Sequence, residues 1–146
     1  MNAWTPENRT NDVWAWGTNG LDYENLTSWV VEDGSFLTEG AVISQFLVDQ
    51  FERKDLLPEI NTPERYQTLS WMNFIAAEIH KAYSPFFHES YGEESKTVFS
   101  TILNKHYAWV DQQLDGQNYL TGSNFTIADI YLFVVTRWAD FIGLNL

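Results

Sequence analysis

The chain has 146 residues, 45% of them hydrophobic and 16% aromatic, enough for one folded domain or a domain with part of a second. Its 20 acidic residues against 8 basic ones give a net charge of −12, which repels phosphate backbones and anionic lipid and leaves no basic stripe for nucleic acid. It has no cysteine, so disulfides, thiolate metal sites and a cysteine nucleophile are excluded.

The opening "MNAWTPENRT" has neither the basic flank nor the apolar run of a signal peptide. No stretch approaches the ~18 consecutive apolar residues of a membrane span. The expectation is a soluble, cytoplasmic protein with no membrane partner. Residues 1–25 form an atypical segment in which Trp4, Trp14 and Trp16 sit among Asn, Gly and Asp with no helical or strand period. Next, Trp29–Val31 is rich in strand formers, Asp33-Gly34 is a tight-turn signal, and Ser35–Leu37 begins a second strand, so a short hairpin is predicted.

"GAVISQFLVDQFERK" follows as a helix, with Val42, Ile43, Phe46 and Leu47 at helical spacing. "DLLPEINTP" breaks it. Thr62-Pro63 then starts a second helix, a capping hydroxyl followed by Pro at the first helical position. That helix runs to about Tyr83, with Leu69, Met72, Ile75, Ala76, Ile79 and Tyr83 in one stripe. Trp71 and Phe74 fall off the stripe and read as a second contact patch. "SPFFHESYGEESK" reads as a loop, and a third helix spans about Glu94 to Leu114. In "FTIADIYLFVVTRWADFIGLNL", Thr126 is the predicted N-cap and Asp129 its capping-box partner, with Phe125 and Ile130 at the hydrophobic-staple positions. From Ile130 to Val135 this last helix is apolar all round, so it is expected to be buried. His80, His88 and His106 lie on three different elements and make no local metal motif. On their own, His80 and Lys81 read as cations placed near a helix C-terminus, where the dipole favours them.

Three of these stretches, "DGSFLTEGAVISQFL", "EIHKAYSPFF" and "LTGSNFTIADIYLFVVTRWA", together resemble the bacterial beta-class glutathione S-transferases, over about residues 26–146. The resemblance implies a thioredoxin-like α/β domain followed by an all-α domain, usually in a homodimer. The expected fold is mostly α. Residues 26–54 would be a partial thioredoxin-like domain of hairpin and helix, and residues 55–146 the helical domain without the last family helices. Glutathione is implied as co-substrate, with no metal. Glu39 matches the acidic position that receives the γ-glutamyl end, and Gly40 stands where many members have Ser. Leu26 matches the residue whose backbone pairs with the cysteinyl part. His80 and Lys81 match residues lining the thiol and acceptor region, and Trp138 matches an aromatic near the same cleft.

The chain also departs from the family. The opening strand–helix–strand that carries the thiol-activating residue is missing, Thr27 stands where the family has a cis-proline, and the chain ends at Leu146. A non-proline cis bond costs ~2.5–4 kcal/mol, so the Leu26–Thr27 bond is expected to be trans. The family reaction is attack of glutathione thiolate on a small electrophile, and weak or no activity is expected of this chain. The alternative is a non-catalytic helical dimerisation or interaction module, or a gene fragment.

Overall fold

A computed structural model describes residues 28–31 and 34–146. The atypical N-terminal segment, Leu26, Thr27 with its peptide bond, and Asp33 lie outside the described residues.

The predicted hairpin forms from β1, Ser28–Val30, and β2, Phe36–Thr38, paired antiparallel with Trp29 opposite Leu37. The turn closes through Gly34 N–H to the Val31 carbonyl at 2.9 Å, and Gly34 adopts φ +83°, which a side chain would oppose. One residue later the chain enters α1, Gly40–Gln50. Glu39 caps this helix with its carbonyl, which accepts from the Val42 and Ile43 amides at 2.9 Å each. Only Ile43 of α1 is buried.

Two contacts fasten α1 and its connector to the helices that follow. Arg65 is 8% exposed and grips both carboxylate oxygens of Asp49, at 3.0 and 2.6 Å, while also donating to the Pro58 carbonyl at 3.0 Å. The guanidinium holds the Asp49 carboxyl below the usual carboxylate range. Farther along, the Leu56 carbonyl accepts from the Ile127 amide at 3.0 Å.

Helix α2, Pro63–Phe74, starts as predicted: Thr62 Oγ1 accepts from the Arg65 amide at 3.3 Å and Pro63 occupies the first turn. It continues into a π-helical turn, Ile75–His80. The core stripe survives this widening, because Met72, Ile75, Ile79 and Tyr83 are all at most 2% exposed. The expected loop after Tyr83 contains a short helix, α3, Ser84–Phe87, started by Pro85. Helix α4, Glu93–Leu114, buries Leu103 and Val110. It also covers the second patch of α2. The Trp109 ring lies 5.1 Å from Trp71 and 4.6 Å from Phe74, and His106 meets Phe74 edge-on. Trp71 and Phe74 are therefore packed within the chain rather than left as a free contact face.

Helix α5, Ile127–Thr136, carries the predicted capping box. Asp129 Oδ2 accepts from the Thr126 amide at 2.8 Å and from its hydroxyl at 3.0 Å, and Asp129 Oδ1 accepts from the Leu120 amide at 2.8 Å. The all-round burial expected of this helix is corrected. Ile127, Ala128, Tyr131 and Val135 face the core, but Ile130 is 41% and Phe133 63% exposed. The apolar run thus exceeds what the described residues cover. The staple is not seen as a buried pair either, since Phe125 is exposed and its ring meets Tyr119. The chain turns at Arg137, and α6, Trp138–Ile142, closes with Gly143 in the left-handed region. Trp138, the first residue of α6, is half-buried.

Replacing Asp129 with Ala removes the cap and strands the buried Leu120 amide. Cap loss costs ~0.5–2 kcal/mol and an unsatisfied buried donor ~1–3 kcal/mol. Equilibrium urea unfolding is expected to show D129A destabilised by about 2–3 kcal/mol, whereas Ile130→Ala stays within about 0.5 kcal/mol.

Candidate functional site

The site grows from three local features. The first is the junction of β2 and α1. Glu39 adopts φ +69°, ψ +114°, outside the comfortable region for a residue with a Cβ. Such a conformation costs ~1–3 kcal/mol and persists only where the surroundings enforce it. It turns the chain so that the Glu39 carboxylate and the first amides of α1, those of Gly40 and Ala41, sit at the same helix end. The helix dipole gives that end a partial positive charge.

The second feature is the π-turn. A widened turn rotates the residues after it away from their α-helical directions, and such turns are common at functional sites. His80 closes this one. It is half-buried, whereas Lys81, one residue on, is exposed.

The third feature is the α5–α6 corner. Tyr131, on the core face of α5, places its hydroxyl 2.7 Å from His80 Nδ1. Trp138, at the start of α6, meets the His80 ring edge-on at 4.9 Å. The same indole contacts Tyr83 at 5.6 Å and Phe87 at 5.7 Å, so it is held on three sides. Behind it, the Tyr83 and Tyr107 hydroxyls pair at 3.0 Å. Burial first, then this pairing, keeps the Tyr83 phenol well above its ordinary value.

Electrostatics follow from this packing. Burial, with a smaller contribution from the Lys81 cation, pushes His80 down to about 4. Burial also raises Tyr131 to about 12, and the negative charge of Glu39 adds to the rise. At neutral pH the site therefore presents a neutral imidazole and a neutral phenol, with Glu39 at a helix N-terminus and Lys81 exposed.

Of the residues singled out in the sequence, the structure brings His80 and Trp138 into contact and leaves Lys81 at the rim. Glu39 and Gly40 stand at the start of α1, and Leu26 lies outside the described residues. Sequence reasoning missed Tyr131. Its only signal was a phenol within an apolar run, whose hydroxyl must find a partner once buried. Among the described residues, no three His, Asp or Glu side chains gather as a metal ion would require.

Comparison with known proteins gives a consistent picture. A family model described as "Glutathione S-transferase, C-terminal domain" matches residues 93–146. A glutathione S-transferase of Escherichia coli O157:H7, GstA, is 39% identical over 134 residues, covering 88% of this chain and 67% of the relative. A beta-class glutathione S-transferase of Sphingomonas chungbukensis is 34% identical, with a TM-score of 0.76 over 81% of this chain and 59% of that one. A sphingomonad glutathione S-transferase, solved in complex with glutathione, is 31% identical with a TM-score of 0.76 over the same shares, 81% and 59%. The chain thus spans about three-fifths to two-thirds of the length of these relatives.

The two shifted groups make stability depend on pH in opposite directions. The unfolded chain binds a proton at His80 near pH 6.5 and the folded chain only near 4. This contribution is therefore whole above pH 6.5 and lost as pH falls to about 4. For Tyr131 the contribution is whole below about pH 10 and lost as pH rises to about 12. A proton NMR titration of the His80 C2–H is expected to show no ionisation between pH 8 and 5. A midpoint near the ordinary value of about 6.5 would show that the imidazole is not shielded as described.

Proposed function

The chain belongs to the glutathione S-transferase family, and on that footing we propose that it takes glutathione along the edge running from Glu39 and Gly40 to the His80–Trp138 corner. One observation supports this most strongly. His80 and Trp138, both matched from the sequence, meet in one corner with Tyr131, while Glu39 stands in a strained backbone at the head of α1. In this reading residues 26–54 are a partial thioredoxin-like domain and residues 55–146 the helical one.

Glu39 would receive the ammonium of the γ-glutamyl end, with the Gly40 and Ala41 amides beside it. Leu26 would supply the backbone pairing for the cysteinyl part. His80 and Lys81 would face the sulfur, and Trp138 would form the wall against which an acceptor lies. The reaction of such a site is attack by the glutathione thiolate on an electrophilic carbon, forming a C–S bond as the leaving group departs with its electron pair. Ionising the thiol at neutral pH requires a depressed pKa. His80, neutral at that pH, brings no positive charge, and Lys81 lies at the rim. Weak conjugation or none is the expectation for this chain. The working assembly is a homodimer in the cytoplasm. No helix among the described residues is long and apolar enough to cross a membrane.

Binding is testable without turnover. A ligand held only by the folded state raises the unfolding midpoint with concentration. With a dissociation constant of about 1 mM, 10 mM glutathione adds about 1.4 kcal/mol. For a chain of this size that is about 3–6 °C. Glu39→Gln is expected to lose most of the shift. A flat response of the parent chain at 10 mM would refute the reading, as would a full response retained in E39Q. Rapid conjugation of glutathione to a chlorinated nitroaromatic would overturn the expectation of feeble catalysis.

A further inference from the structure

We infer that Tyr131 is a positioning residue. Its hydroxyl donates to His80 Nδ1 and locks the imidazole in the tautomer that carries its proton on Nε2. Two features of the pair favour this direction for the hydrogen bond. The separation of 2.7 Å is near the commonest length for O–H donors and at the short end of the range for N–H donors, about 2.7–3.2 Å. Chemistry agrees. A phenol is a stronger acid than a neutral imidazole N–H, and an imidazole lone pair is a better acceptor than a phenol oxygen. The protonation states of the two groups agree with this direction. The phenol stays protonated far above neutral pH, and the imidazole stays neutral far below it.

The ring cannot turn over to exchange its nitrogens at low cost. Trp138 stands edge-on against it at 4.9 Å, and the Tyr131 ring does the same at 5.9 Å. Trp138 is itself wedged against Tyr83 and Phe87. Tyr131 and His80 lie 51 residues apart, so the lock also ties α5 to the end of the π-turn.

The lock has a chemical consequence, which rests on the glutathione reading above. A His80 so fixed is a hydrogen-bond donor and not a base. Nε2 already bears a proton, and the Nδ1 lone pair is engaged by Tyr131. His80 can therefore donate Nε2–H to an anionic sulfur, but it takes no proton from the thiol. The thiol proton must leave to solvent or to another group.

The test is a long-range proton–nitrogen correlation spectrum of the nitrogen-15-labelled chain at pH 7, with His80→Gln to assign the signals. The expected result is a single Nε2–H tautomer at His80. In Tyr131→Phe, which keeps the ring and loses the hydroxyl, both His80 nitrogens should move toward values averaged between the two tautomers. A purely structural role for Tyr131 would leave them unmoved, so an unchanged spectrum in Y131F overturns the inference. So does an Nδ1–H tautomer in the parent chain, and that arm decides the matter even if the variant does not fold. A fixed Nε2–H tautomer in a chain that ignores glutathione would uphold the role of Tyr131 while removing the binding reading.

Discussion

The Asp129 carboxylate decides where α5 begins. Its two oxygens accept from the Thr126 amide, the Thr126 hydroxyl and the Leu120 amide, which joins the first turn of the helix to the loop before it. Helix ends leave unpaired amides, and a buried one must be satisfied or the start of the helix drifts. Once this start is fixed, Tyr131 falls four residues after Ile127, facing the core, and Trp138 at the start of α6 meets the His80 ring as well. A slip of one residue would swing Tyr131 by roughly 100° around the helix and leave the imidazole without its phenol.

The site is thus assembled from two sources of constraint. On one side, helix packing and a cap hold the Tyr131 and Trp138 rings edge-on against the His80 imidazole. On the other, the hairpin delivers Glu39 into α1 through a backbone conformation that a non-glycine residue avoids. Arg65 links the two by clamping Asp49 of α1 onto the head of α2. Its guanidinium is nearly buried and satisfied by three acceptor contacts, so the clamp is directional as well as attractive.

Much of this was legible in the sequence because it is local. The capping box is four residues long, the core stripe of α2 follows helical spacing, and the Asp-Gly turn marks the hairpin. What was not legible depends on long-range packing. The π-turn that ends at His80 leaves no mark in residue preference. The Tyr131–His80 bond joins positions whose proximity only the fold creates. The exposed side of α5 misled the reading of the apolar run for a different reason. Hydrophobicity reports what a residue tolerates, and the cover over Ile130 and Phe133 is not supplied by this chain's described residues. Trp71 and Phe74 show the converse, since a patch that looked unclaimed in the sequence is met by Trp109 and His106.

The claim joining these features is that Glu39 and the His80–Trp138 corner are two parts of one binding edge. Following the labelled chain by proton–nitrogen NMR while glutathione is added tests this directly. The account predicts that the Glu39, Gly40 and Ala41 amides and the Trp138 indole N–H shift together along a single saturation curve. Movement of the indole with the α1 amides still, or the reverse, would mean that the two parts do not serve the same ligand.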